Sequence, residues 1–336
     1  MRVLTLSNAD IHAALSPEAC EQAMAGVLAA RARGDAFNPL RSVSAPPGAA
    51  GFIGLMPAYA SVAAAASGAE GGDAEGAAFG LKVVCIMRGN PARGLDAHQG
   101  TVTLYDGDTG MPTAILNASA VTEIRTAAVT AVATRALARD GARVLCVLGA
   151  GVQARSHLVA LAGVRSWDEV RVYAPTTAHV EALRDARGDF VAAGSAREAV
   201  EGADVVVVAT SAKRPVLEHV WLVPGAHVNA VGASSPTAWE IEPATVAAAS
   251  LFCDSRESVR NEAGEFRLAV EEGLIAGEDH IQAELGEVVS GAHPGRSGED
   301  ELTLFRSLGI GVEDLAAAQV AVSVARRQGL GTEVEL

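Results

Sequence analysis

The sequence predicts an α/β protein in which a doubly wound parallel sheet is joined to a second, α+β domain. Three observations predict it. The stretch RVLCVLGAGVQARSHLVAL, Arg143 to Leu161, joins a buried-strand pattern to a glycine turn and then to a helix. Beyond it, short apolar runs alternate with helical segments at Val170 to Tyr173, Phe190 to Ala192, Asp204 to Ala209, His227 to Val231 and Leu251 to Cys253, the rhythm of parallel strands and crossover helices. Before it lies a β-rich section, and a chain of 336 residues exceeds what one hydrophobic core usually organises.

Residues 11 to 34 carry helical periodicity (Ile11, Leu15, Ala19, Met24, Val27, Leu28), with a fresh helix start at Ser16-Pro17 and a stop at Gly34. Phe52 to Tyr59, Phe79 to Met87 and Thr101 to Leu116 alternate or run apolar, and Asp106-Gly107 marks a hairpin. Between the first two, SVAAAASGAEGGDAEGAA is low in complexity and is expected to form a mobile surface loop without a catalytic role. An alanine-rich helix, capped by Ser119, is expected from Ser119 to Arg139. In the strand that follows, Val144 to Leu148, both faces are apolar. Gly149 and Gly151 then remove side chains where a pyrophosphate would press on backbone, Ala154 lets the helix lie against the strand, and the free N–H groups of the helix start face the anion. This is the turn of a Rossmann dinucleotide site. The segment Val312 to Gln328 reads as a final amphipathic helix whose packing partner periodicity does not reveal.

Bulk composition excludes several classes. Net charge is 26 minus 40, or −14, without a lysine/arginine block, so neither nucleic acid nor an anionic membrane is an expected partner. No apolar run is long enough to span a bilayer and the amino terminus is polar (Ser7, Asn8, Asp10), so a cytoplasmic location is expected. Cys20, Cys85, Cys146 and Cys253 are widely spaced, the last three inside apolar runs, and read as small buried hydrophobes. The eight histidines are scattered singly and no metal site is expected. Lys82 is conspicuous because it interrupts Leu81 to Met87, a run otherwise apolar, where an unpartnered ammonium is costly.

GLMPAY (54 to 59), GLKVV (80 to 84), Glu123-Ile-Arg-Thr126 before an alanine-rich helix, GAGVQA (149 to 154), NAVGASSP (229 to 236) and FRSLGIGVEDLAAA (305 to 318) resemble successive blocks of the ornithine cyclodeaminase and mu-crystallin family. The resemblance implies a substrate-binding and dimerising domain at 1–118, completed by 311–336, and a Rossmann domain at 119–310, with a homodimer as the assembly. It implies that Arg41 and Arg125 hold a substrate carboxylate, that Lys82 helps hold it and moves a proton, and that Met56 lines the pocket. Physical chemistry agrees: an arginine fork suits a carboxylate, and a lysine among cations and apolar walls loses basicity. Cofactor positions implied are Thr126, Gly149, Ala150, Gly151, Val152, Gln153, Thr176, Thr177, Thr210, Ser211, Val231 and Gly232.

Two departures from the cyclodeaminase pattern decide the expected reaction. Cyclodeaminases carry an aspartate after the Val-Gly-Xaa step, whereas this chain reads Val231-Gly232-Ala233-Ser234, and a second acid is replaced by Gly54. A serine is far too weak a base to take the place of a carboxylate in ring closure. Ser234, with Pro236 and Trp239, instead resembles the mu-crystallin branch, whose members reduce cyclic ketimines, and Ser234 is expected to hydrogen-bond near the imine nitrogen. The expected activity is therefore NAD(P)H-dependent reduction of a small imino acid, or the reverse oxidation of an amino acid. The alternatives are an NAD-dependent ammonia lyase and a non-catalytic NADPH-gated binding protein. The tip after Val170 to Tyr173 reads Ala174-Pro175-Thr176-Thr177 and has no acid to receive ribose hydroxyls, so NADPH is expected, with NADH possible.

Overall fold

The computed structural model describes residues 1–61, 76–87 and 89–336, and the low-complexity stretch read as a surface loop falls almost wholly outside them. The chain forms two compact units, Met1–Arg125 with Gly309–Leu336, and Thr126–Leu308.

The first unit opens with β1 (Arg2–Leu6), α1 (Asn8–Ala14) and α2 (Pro17–Arg33). The helical periodicity begins upstream of its expected start, because Ser7 and Asp10 form a reciprocal capping box ahead of Ile11. A break at Leu15 separates the two helices, and Ser16 caps the second ahead of Pro17. Strands β2 (Ala36–Phe37), β3 (Ser42–Ser44), β4 (Phe52–Ala60), β5 (Ala78–Ile86), β6 (His98–Asp106) and β7 (Pro112–Asn117) follow. The β6–β7 turn is held by Asp106, whose Oδ1 accepts from the Thr109 N–H (2.8 Å) and hydroxyl (2.6 Å).

Helix α3 (Ala118–Leu137) runs from the first unit into the second. Its cap is not Ser119. Asn117 Oδ1 accepts from the Ala120 N–H at 3.0 Å, while the Ser119 hydroxyl, already inside the first turn, donates to Asp96 and to the His98 carbonyl.

The second unit contains β8 (Val144–Leu148), α4 (Val152–Ala162), β9 (Glu169–Tyr173), α5 (Thr177–Glu181), β10 (Val191–Ala192), α6 (Ala196–Val200), β11 (Val205–Val208) and β12 (His227–Ala230). It continues with α7 (Pro243–Ala248), β13 (Ser250–Cys253), α8 (Arg256–Glu262), α9 (Gly264–Glu271), β14 (Ile281–Glu284), α10 (Leu285–Val289) and β15 (Thr303–Arg306). The sheet order is β10-β9-β8-β11-β12-β15-β13-β14, and every pairing is parallel. All four valines of β11 are buried, because helices cover both faces, and each contributes about 1.5–3 kcal/mol of transfer free energy. The winding direction reverses between β8 and β11, which opens a crevice at the carboxyl ends of those strands.

The chain then returns to the first unit as α11 (Gly311–Gln328) and β16 (Thr332–Glu335). The packing that periodicity left open is resolved: α11 lies on α2 and on one face of β4, β5 and β6. β16 pairs antiparallel with β1, giving the order β16-β1-β7-β6-β5-β4-β2, with β3 also on β4. Gly54, Met56, Ala58 and Ala60 alternate toward the buried face of β4, and Ile53 and Leu55 toward the exposed one.

Candidate active site

Lys82 sits in the middle of β5, on the face that α11 covers, opposite Met56 of β4. An apolar strand can carry it because α11 delivers a carboxylate to the same place. Lys82 Nζ lies 2.8 Å from Asp314 Oδ1 and 2.7 Å from Oδ2, and 3.4 Å from the Thr122 hydroxyl. Arg125, on α3, donates from Nε to the same Asp314 Oδ1 at 3.1 Å and from Nη1 to Glu313 Oε2 at 2.9 Å. Lys82, Arg125, Glu313 and Asp314 are all buried. Arg41 Nη2 donates to the Gly309 carbonyl at 2.9 Å. Gly309 has φ 76°, and a Cβ there would strike the Arg125 guanidinium, so glycine is required on both counts.

Lys82 and Arg125 share Asp314, and Arg41 reaches the same place through Gly309, which lies against the Arg125 guanidinium. Burial, with Arg125 and Arg41 close by, brings the Lys82 pKa down to about 8, although Asp314 pulls the other way. Burial works to raise the Asp314 pKa, but Lys82 and Arg125 hold it below the usual carboxylate range. The result is a lysine able to gain or lose a proton near neutrality, fixed beside an arginine fork that two acids aim. Met56 is buried within the sheet, beside Lys82.

In the second unit the sequence-expected cofactor positions other than Thr126 fall at the carboxyl ends of four neighbouring strands, β9, β8, β11 and β12. Gly149 ends β8 at φ 125°, where a Cβ would overlap the Ala209 carbonyl. Gly151 is the N-cap of α4, no side chain caps that helix, and the space about a Gly151 Cβ is open. Ala150, Val152 and Gln153 complete the turn, so uncapped helix N–H groups meet an open cradle, the arrangement a dinucleotide pyrophosphate fits. Thr176 is the N-cap residue of α5, but its hydroxyl makes no cap bond, and Thr177 begins that helix. Thr210 and Ser211 follow β11, Val231 and Gly232 follow β12, and Ser234 is exposed beyond them. Thr126 is buried in α3.

The sequence reading missed Glu313 and Asp314, because acids in a helix's first turn are ordinary companions of the helix dipole. The signal available in the sequence was two adjacent acids set between the apolar residues Val312 and Leu315; in the structure all of 311 to 318 is buried. It also missed Glu240, which lies outside regular structure, is 2% exposed, and has its pKa pushed up to about 7 by burial against the pull of Thr210 and Arg306. Among the described residues no group of histidine, cysteine or acidic side chains is arranged to hold a metal ion, and no helix is long and apolar enough to cross a membrane.

Comparison with known proteins bears on both units. Residues 2–328 match the profile of the ornithine cyclodeaminase/mu-crystallin family. Over 288 residues the chain is 40% identical to the ketimine reductase mu-crystallin of Mus musculus, covering 85% of each protein. The structure of Thermococcus litoralis Δ1-pyrroline-2-carboxylate reductase, in complex with NADH and L-proline, superposes with a TM-score of 0.90 at 34% identity, covering 99% of this chain and 100% of that one. An archaeal alanine dehydrogenase dimer with bound NAD superposes with a TM-score of 0.89 at 29% identity, covering all of both chains. The chain belongs to the ornithine cyclodeaminase/mu-crystallin family.

Proposed function

We propose that this protein is a cytoplasmic NAD(P)H-dependent reductase of small imino acids, acting on the C=N bond of a ketimine or cyclic imine carboxylate. NADPH is the preferred cofactor and NADH an accepted one. The observation that carries the reading is the buried pair Lys82 and Arg125 gathered on Asp314, with Arg41 beside them on the Gly309 carbonyl, a set of cations suited to a substrate carboxylate. L-Proline, held with NADH by the Thermococcus relative, has one such carboxylate and a cyclic amine. Bound nicotinamide supplies the hydride for the imine carbon. Arg41 and Arg125 hold and orient the carboxylate, and Met56 gives an apolar wall. Lys82 supplies a proton to the product nitrogen, and Ser234 hydrogen-bonds beside it. Gly149, Ala150, Gly151, Val152 and Gln153 would hold the pyrophosphate, and Thr176 and Thr177 would donate to a 2′-phosphate that no acid at the tip repels. Thr126, Thr210, Ser211, Val231 and Gly232 complete the cofactor contacts.

Position 54 is a glycine and 234 a serine, so neither carboxylate that ring closure with ammonia loss uses is present. The direct test supplies NADPH or NADH with Δ1-pyrroline-2-carboxylate and follows absorbance at 340 nm. Cofactor oxidation is expected. Ammonia and proline from ornithine instead would establish the lyase, and ligand-induced thermal shifts without turnover would establish a binding protein.

With Lys82 titrating near 8, it is protonated below that pH and neutral above. Imine reduction should therefore fall as pH rises through about 8, and amine oxidation should rise through the same range. The Asp314 charge favours the ammonium, so Asp314→Asn should move the falling limb of the reduction profile to lower pH. A limb that stays in place would show that another group supplies the proton.

The exposed face of the first unit's sheet supports a homodimer. Ile53, Leu55 and Phe79 project from β4 and β5 into solvent, with the Tyr59 ring tilted against Phe79 at 4.8 Å between ring centroids. A contiguous apolar band across paired strands is a surface for burial, and the second copy of this chain is its occupant. Leu55→Asp should convert the dimer to a monomer in size-exclusion chromatography with light scattering. A wild-type monomer at micromolar concentration would remove the basis for this assembly.

A further inference from the structure

Two loops leave the carboxyl ends of adjacent parallel strands in the second unit, one starting at Ala209 after β11 and one running from Val231 to Ser234 after β12. A single buried carboxylate joins them. Glu240 Oε1 accepts from the Thr210 N–H at 2.7 Å and from its hydroxyl at 2.6 Å, and Oε2 accepts from the Ala233 N–H at 2.6 Å. Gly232 lies so close that a Cβ there would collide with both carboxylate oxygens and with the Thr210 carbonyl. From the other side, the buried Arg306 donates to the Ala230 carbonyl at 2.9 Å, the Ser307 carbonyl at 3.0 Å and the Ala233 carbonyl, and pairs with Glu265. The N–H of Ala233 is thus held by an anion and its C=O by a cation. Strand geometry does not require this, since β12 ends at Ala230. Charge-assisted bonds of this kind are stronger and more directional than neutral ones, and burying a carboxylate is costly unless such donors surround it.

We propose that Glu240 is a positioning residue, which sets the spacing of the Thr210 and Ala233 loops and thereby places Ser234 and the cofactor contacts on those loops. The inference rests on the reading of the second unit as the nicotinamide-binding unit. Glu240 acts through the two loops, with Arg306 as its opposing clamp.

Glu240→Gln tests it, because the amide keeps the size but sets an N–H₂ donor against backbone donors that now meet a carboxylate. The dissociation constant for NADPH, from nicotinamide fluorescence, should rise by about 10-fold, and kcat should fall by about 10-fold. The KM for Δ1-pyrroline-2-carboxylate should change by less than about 3-fold, since the carboxylate-binding cations lie in the other unit. A substitution that merely loosened the fold would move all three together. Thr210→Val, which removes the hydroxyl bond to Glu240 together with the one the hydroxyl accepts from the Ala212 N–H, should reproduce the pattern at about 3-fold and serves if the glutamine variant does not fold. Unchanged affinity and kcat in both variants, with wild-type protein binding NADPH normally, would overturn the positioning role. Wild-type protein that binds neither NADPH nor NADH would overturn the cofactor reading itself.

Discussion

Lys82→Ala is expected to lower kcat for imine reduction by about 10²–10⁴-fold while leaving the NADPH dissociation constant within about a few-fold. Lys82 is the buried group whose basicity the site has tuned toward neutrality, and it belongs to the unit that does not contain the glycine turn. The fold should survive the change, because Asp314 keeps its bond from Arg125 Nε and so retains a counter-charge. Single-turnover kinetics beside a fluorescence titration separates the two effects. Equal loss of cofactor binding would show that Lys82 serves the nucleotide rather than the imine.

Arg125→Leu should act on stability as much as on binding. Glu313 and Asp314 are 0% and 1% exposed, and removing the guanidinium takes away the cation that Arg125 brings within 2.9 Å of Glu313 and 3.1 Å of Asp314. Breaking a buried pair in this way costs about 3–5 kcal/mol, which corresponds to a fall in Tm on the order of 10 °C. Substrate binding should weaken as well, with KM rising by roughly 30- to 1,000-fold for about 2–4 kcal/mol of lost carboxylate pairing. Arg125→Lys, which keeps the charge but not the fork, should restore part of the Tm and little of the KM. Thermal denaturation and steady-state kinetics on both variants check this. A leucine variant as stable as the parent would mean that the ion cluster contributes nothing measurable to folding.

The parts of this protein legible in the sequence are those governed by short-range rules. The strand, glycine turn and helix at 144–162 can be read because each position has its own local reason, and the Val205–Val208 strand can be read because a strand covered on both faces must be apolar throughout. Short edge and insertion strands escaped. β1 and β16 complete each other across the whole chain, β14 is four residues ending in an acid, and β15 sits between β12 and β13 although it comes last in the unit. None of these has a periodic signal long enough to detect. Lys82 could be singled out because a lone cation in an apolar strand demands a partner, but the partner lay 232 residues away, so only the folded chain could identify Asp314. Ser119 was misread as a cap for a different reason: two cap-competent side chains stand two residues apart, and the choice between them depends on where the first helical turn begins.

The return of the chain through Gly309 into α11 has a consequence for biosynthesis. Asp314 follows Arg125 by 189 residues, so a nascent chain emerging from the ribosome exposes Lys82 and Arg125 long before their acids exist. The second unit is contiguous and can fold as soon as its own last strand is made, whereas the first stays incomplete until translation reaches α11. Ribosomes that stall or terminate at Leu308 would therefore release a product with one finished half and one half whose cations have no counter-charge, a species marked for aggregation or proteolysis.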